Sequence, residues 1–175
     1  MAAAGHVRSL LALGFSVALS VLFGPVVASA QDADPVLGRQ VWQSLANCRE
    51  CHGWAANGQQ ELPQQPQGAN LRETTLTPAD MAEVIRCGRP ATEMPYFGGN
   101  ATWGPNGKCF GMTRAEAGPM MPIKADSSLS DRQISSVVAY IFASLVGKGP
   151  ITREECDAFF GAGQAKCAGY ATAGK

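Results

Sequence analysis

The residues with the most distinctive chemistry form one pentapeptide, Cys48-Arg49-Glu50-Cys51-His52. Two thiols three positions apart share one helical turn, so each can add to a different vinyl group of a single porphyrin. The histidine that follows is placed to ligate the iron from one side. In an exported chain, this motif predicts one covalently bound haem c, attached through Cys48 and Cys51 and ligated by His52.

Two other uses of the cysteine pair fit the sequence less well. A structural zinc site takes four ligands, usually from two paired clusters, and the chain has no second C-x-x-C and no H-x-x-x-H. A thioredoxin-type dithiol follows a strand in an α/β pattern, and no strand-rich stretch precedes Cys48. The sequence therefore favours haem attachment over zinc binding or dithiol chemistry.

Residues 1–30 have the order that is typical of a secretory signal peptide. The cation Arg8 comes first, an apolar run over 10–27 follows, and Ala28-Ser29-Ala30 ends the segment. We expect cleavage after Ala30, since two glycines and a proline interrupt the apolar run and disfavour a membrane anchor. The expected location is the bacterial periplasm, with no stable membrane span in the mature chain.

Charge and histidine content exclude several classes of function. The chain has 14 Lys and Arg against 14 Asp and Glu, so no basic surplus suggests nucleic acid or an anionic membrane as a partner. One of the two histidines, His6, lies in the predicted signal peptide. His52 would then be the only imidazole of the mature chain, which excludes bis-histidine ligation, a distal histidine and a Ser-His pair.

Four further cysteines would lie in an oxidising compartment, where disulfides form. They are Cys87, Cys109, Cys156 and Cys167, and four cysteines allow three pairings. Pairing Cys87 with Cys109 and Cys156 with Cys167 is favoured because each bond closes a short loop. Each would stabilise the fold by about 3 kcal/mol in the chain-entropy model, and buried free thiols are the alternative.

Hydrophobic spacing and capping residues predict helices and no strands. Residues 36–46 form one such stretch, whose apolar face is Leu37, Val41, Trp42 and Leu45. Capping signals predict three more helices, from Thr77 to about Arg86, from Ser130 to Gly147, and from Thr152 to Phe160. Between the helix that ends at about Arg86 and the helix that begins at Ser130, a glycine-rich stretch over 96–126 carries one capped turn at Thr113.

The first helix and the pentapeptide together resemble the class I cytochromes c. The shared features are Gly38 and Trp42 on one helix, Cys48 to His52 followed by Gly53, and a proline-containing loop over 58–68. The resemblance implies an all-α class I cytochrome c fold, in which the N- and C-terminal helices cross and loops wrap the haem. It also implies that Tyr140 packs against Gly38.

The resemblance covers the chain only in part. The expected cytochrome domain spans 31–148, with an insertion at about 96–126, and a short disulfide-pinned extension follows at 149–175. In the family, a loop carbonyl accepts the N–H of the proximal histidine, which fixes its tautomer. The resemblance places this acceptor near Pro63 or Pro66.

The sequence offers three candidate methionines for the sixth iron ligand. The stretch from Gly88 to Pro95 resembles the family's approach to its axial methionine, and this favours Met94. Met121 has the family's spacing to the final helix, and Met120 is the third candidate. A thioether at this position would raise the reduction potential and block the iron from oxygen and peroxide.

The expected function is that of a monohaem c-type cytochrome with no catalytic residue. It would carry single electrons between a periplasmic dehydrogenase and an acceptor such as a terminal oxidase or another cytochrome. The alternative is a tightly bound cytochrome subunit of a heteromeric periplasmic dehydrogenase, in which the insertion and the extension form the interface. An open-iron haem enzyme or gas-binding protein is disfavoured by the two Met-Pro candidates.

Overall fold

The computed structural model describes Met1 and residues 33–172. These residues form helices and two isolated β-bridges but no β-strand, which confirms the all-α prediction. Among them no helix is long and apolar enough to cross a membrane. The predicted signal peptide, residues 1–30, lies outside the described residues apart from Met1.

The N-terminal helical segment consists of two helices of different pitch. Helix α1, Pro35–Gln40, begins at Asp34, whose carboxylate accepts hydrogen bonds from two backbone N–H groups of the first turn. The chain continues as a π-helix, Val41–Leu45, which buries Val41 and Trp42. A π turn holds an extra residue, so Leu45 rotates off the buried face and is 37% exposed. The predicted apolar face was wrong for this residue.

Helix α2, Cys48–His52, consists of the pentapeptide. Two longer helices pack with the N-terminal helical segment to form the main core. Helix α3 is Pro78–Cys87, and helix α5 is Asp131–Ser144. Each begins with the predicted capping box, in which the side chains of the N-cap and N3 residues each accept the other's backbone N–H. Helix α3, helix α5 and the π-helix supply most of the main core, whose buried members include Val41, Trp42, Met81, Ile85, Ile134, Val137 and Ile141.

Helices α1 and α5 cross where Gly38 faces Ser136 and Tyr140. A Cβ at position 38 would collide with the Ser136 carbonyl oxygen and lie 2.8 Å from the Tyr140 Cβ, so the approach requires glycine. The Trp42 and Tyr140 rings lie beside the crossing with centroids 6.4 Å apart. The predicted packing of Tyr140 against Gly38 is confirmed.

The glycine-rich stretch over 96–126 has a small core of its own. It contains helix α4, Arg114–Ala117, and the indole N–H of Trp103 donates to the Cys87 carbonyl over 2.9 Å. The predicted disulfide between Cys87 and Cys109 is present. It joins the end of α3 to this second core, whose buried members are Cys87, Tyr96, Trp103, Cys109 and Ala117.

The C-terminal residues fold back onto the rest of the chain. Helix α6, Arg153–Phe160, has the predicted cap at Thr152, and the second predicted disulfide, Cys156–Cys167, joins it to a 3₁₀ turn at Ala165–Cys167. Two further 3₁₀ turns complete the regular structure of the described residues, at Leu71–Glu73 and Gly118–Met120.

We predict that Gly38→Ala destabilises the protein by about 2 to 3 kcal/mol, because the added methyl group must separate two closely packed helices. Urea denaturation followed by circular dichroism measures the free energy of unfolding. Gly99→Ala is the matched control, since nothing lies within 4 Å of a Cβ there, and its effect should stay within about 0.5 kcal/mol. Equal effects of the two substitutions would show that the crossing does not need glycine.

Candidate haem site

Backbone geometry at both ends of α2 presents the pentapeptide as a single turn. Asn47, in the left-handed region with φ of 50°, precedes the helix, and its carbonyl accepts the Glu50 N–H. Gly53 ends the helix with φ of 79°, a conformation that favours glycine. Cys48 and Cys51 are the free cysteines of the described chain, and both are partly buried. The turn therefore presents two reduced thiols directly before His52.

The surroundings of the two thiols disfavour thiolate chemistry. Burial raises the pKa of Cys48 to about 12. The pKa of Cys51 is raised as well, first by burial and then by the carboxylates of Glu50 and Glu93. Thiolates are the form that attacks disulfides and binds zinc. The described residues also contain no group of three or more His, Cys, Asp or Glu side chains that could hold a free metal ion.

One backbone hydrogen bond fixes the His52 ring. Its Nδ1 lies 2.9 Å from the Ala69 carbonyl oxygen, and because a carbonyl only accepts, Nδ1 carries the proton. Burial lowers the pKa of His52, with the Ala69 hydrogen bond acting in the opposite sense, so the ring is neutral at pH 7. The Nε2 lone pair is therefore the one that is available to a metal.

The acceptor is Ala69, three residues beyond Pro66, whereas the resemblance implied a carbonyl in the region of Pro63 or Pro66. Beyond Pro66 the chain lies against α2, where the Gly68 N–H donates to the Cys51 carbonyl over 2.8 Å. A sequence signal for this return exists. Gly68 allows close backbone approach, and Asn70 two residues later caps the turn at Leu71–Glu73.

Gly68 itself lies against the imidazole of His52. A Cβ at this position would be 2.6 Å from His52 Nδ1 and 2.9 Å from Cε1. Such distances are shorter than van der Waals contact, so only glycine lets the backbone run along the ring. The residue was not singled out in the sequence, and its close approach fixes the plane of the imidazole.

The three candidate methionines lie in different surroundings. Met94 is partly buried and packs against the main core, as Cys48 does. Met121 packs against the second core, which belongs to the stretch over 96–126. Met120 is 43% exposed. The structure thus separates Met94 from Met121 and brings Met94 to the same packed cluster as Cys48.

Comparison with known proteins gave one family match. Residues 33–108 match the family described as cytochrome C oxidase, cbb3-type, subunit III. This match supports a class I c-type cytochrome. No curated protein and no solved structure matched. The matched residues include the pentapeptide, Ala69 and Met94, and a domain of this class implies covalently bound haem c.

Trp42 supplies an observation that tests whether the residues of this chain fit a haem. The side chain is 1% exposed, and its indole N–H has no hydrogen-bond partner in the protein. Its ring centroid is 6.2 Å from that of His52. Buried donors are normally paired, so an unpaired N–H beside the candidate ligand fits a pocket that a further group completes. Together with the two free thiols and the neutral His52, it makes the site compatible with haem c.

We predict that Gly68→Ala shifts the reduction potential of the haem-loaded cytochrome to a more positive value. The added methyl group displaces the His52 ring and weakens its hydrogen bond to Ala69. A weaker hydrogen bond makes the imidazole a poorer donor, which stabilises ferric iron less.

Redox titration followed by absorption spectroscopy measures this potential. Gly169→Ala serves as the control, because a Cβ there meets nothing within 4 Å. An unchanged potential in Gly68→Ala would mean that the close contact does not orient the ring.

Proposed function

We propose that this cytochrome is a periplasmic monohaem electron carrier in which Cys48 and Cys51 hold the haem and His52 and Met94 ligate its iron. When bound, haem c supplies a one-electron ferric/ferrous couple. The observation that carries the proposal is the neutral His52, whose Nδ1–H donates to Ala69 and whose Nε2 is left for the iron. The packing of Met94 in the same cluster as Cys48 supports a second ligand from the protein.

Each proposed residue has a distinct task. The thioethers of Cys48 and Cys51 would keep the cofactor in place during repeated turnover. His52, oriented through Ala69, would set the electron density at the iron from one side. Met94 would favour the ferrous state and exclude oxygen and peroxide from the other side. These tasks serve electron transfer and leave no residue with a bond-making role.

The proposed partners are redox proteins of the periplasm. A cytochrome c domain implies redox partners in general and suggests electron transfer, and c-type cytochromes are typically extracytoplasmic. We propose a dehydrogenase as the electron donor and a terminal oxidase or another cytochrome as the acceptor. The order of charged, apolar and small residues in 1–30 supports export and cleavage after Ala30.

A second candidate function is that of a cytochrome subunit held by a larger periplasmic dehydrogenase. The observation that favours it is the surface of the insertion, where Phe110, Met120 and Ile123 are exposed, the last by 68%. Apolar side chains on the surface of an insertion are suited to a subunit interface. Gel filtration from native extract at micromolar dilution separates the two candidates, since a free carrier elutes as a monomer and a subunit elutes with a second chain.

We predict that Met94→Ala abolishes methionine ligation, while Met121→Ala leaves it intact. The measurement is the weak red charge-transfer band from sulfur to ferric iron in the absorption spectrum. Met121→Ala is the matched control, since it removes the same side chain from the second core. Loss of the band only in Met121→Ala would reassign the ligand.

Carbon monoxide tests the proposed function of the unmodified protein. With both axial positions taken by His52 and Met94, the ferrous spectrum should not change on addition of carbon monoxide, because no coordination site is open. Rapid binding together with a missing charge-transfer band would contradict the carrier proposal and indicate an open iron.

A further inference from the structure

A buried cation, Arg72, lies at the meeting point of three chain segments. The side chain is 5% exposed, and each of its guanidinium nitrogens donates a hydrogen bond. Nε donates to the Gly149 carbonyl over 2.7 Å, and Nη1 donates to the Ala55 carbonyl over 3.2 Å. Nη2 lies 3.1 Å from both carboxylate oxygens of Glu155.

The backbone around Arg72 is the segment that presents Ala69 to His52. It is fastened to the residues after the pentapeptide, since the Leu71 N–H donates to the Ala56 carbonyl over 2.8 Å. The Nη1 bond to Ala55 attaches the Arg72 side chain to the same stretch. On the other side, the Arg72 carbonyl accepts the Gly147 N–H over 2.8 Å, which ties the segment to the chain beyond α5.

Glu155 belongs to the C-terminal extension and is itself held in place. Its Oε2 accepts the Thr152 N–H over 3.1 Å, as the N3 residue of the capping box of α6. The same helix packs on the haem-attachment side of the molecule, where the Phe159 and Phe160 rings each lie 5.3 Å from Trp54. Glu155, whose carboxylate pairs with Arg72, therefore belongs to a helix that packs against Trp54, two residues after His52.

We propose that Arg72 is a positioning residue, which holds the Ala69 carbonyl against His52 with the C-terminal extension as its fixed support. Arg72 joins the Ala69 segment, the stretch after the pentapeptide and Glu155 of the extension in one buried network. The proposal rests on the proposed function, because it concerns the ligand that His52 provides. In this proposal, the C-terminal extension supports the backbone segment that carries Ala69.

The chemistry of the guanidinium explains why the network needs arginine. Its planar fork donates in several fixed directions at once, whereas a lysine ammonium is a point charge that cannot match them. Loss of either partner loosens the Ala69 segment, because a buried cation without its carboxylate draws water or moves outward. The His52 hydrogen bond then opens more often, and the imidazole becomes a weaker donor to the iron.

The test is Arg72→Lys in the haem-loaded protein, compared with Arg86→Lys. Both substitutions keep the charge, and the control breaks a surface ion pair, in which Arg86 lies 2.8 Å from an Asp131 carboxylate that is 88% exposed. In the reduced protein, proton NMR measures how fast the His52 Nδ1 proton exchanges with solvent. We expect exchange to become about tenfold faster in Arg72→Lys and the reduction potential to rise, with neither change in Arg86→Lys.

Glu155→Gln provides a second route if Arg72→Lys does not fold. It keeps the guanidinium and removes the carboxylate charge, and Asp131→Asn is its control for the same change of charge. Faster Nδ1 exchange in Glu155→Gln alone supports the proposal. A lower melting temperature with unchanged Nδ1 exchange and potential would overturn it, since Arg72 would then stabilise the fold without acting on His52.

The two proposals fail in distinguishable ways. If the unmodified protein lacks the charge-transfer band of methionine ligation, the carrier proposal fails. The Nδ1 exchange rate still reports on Arg72 in that case, because the hydrogen bond from His52 to Ala69 does not involve a methionine. If the band is present and Nδ1 exchange is the same in all variants, only the positioning role is lost.

Discussion

The hydrogen bond from His52 Nδ1 to the Ala69 carbonyl is the interaction on which the rest of the site depends. It decides which ring nitrogen carries the proton, and therefore which nitrogen a metal can use. The bond requires the backbone to run along the imidazole, which Gly68 permits because it has no Cβ. Backbone hydrogen bonds on both sides of Ala69 then hold that segment against the turn of the pentapeptide.

The insertion at about 96–126 and the C-terminal extension at 149–175 contact different parts of the chain around this hydrogen bond. The insertion adds a second core around the Cys87–Cys109 disulfide, and the Met120 carbonyl accepts the Ala91 N–H of the loop that leads to Met94. The extension is anchored by aromatic packing on Trp54 and by the ion pair with Arg72. The insertion thus contacts the loop before Met94, and the extension contacts the segment that carries Ala69.

The π-helical turn links the helix crossing to the site. It begins three residues after Gly38 and turns Trp42 inward, where its ring centroid lies 6.4 Å from that of Tyr140 and 6.2 Å from that of His52. A regular helix would have kept Leu45 on the same face as Trp42. The extra residue of the π turn instead lets one aromatic ring contact both the C-terminal helix and the haem-attachment turn.

Features that act over a few residues could be predicted from the amino-acid sequence. The pentapeptide, the capped helix starts and both disulfide loops follow from spacing within one turn or one short loop, and Gly38 follows from the need of two helices to approach. Which carbonyl accepts the His52 proton became clear from the folded chain, since the acceptor lies 17 positions further along. The same holds for Arg72, whose partner Glu155 is 83 positions away. Such pairings depend on how the chain returns over many residues, and local signals such as Gly68 and Asn70 permit that path without specifying which atoms meet.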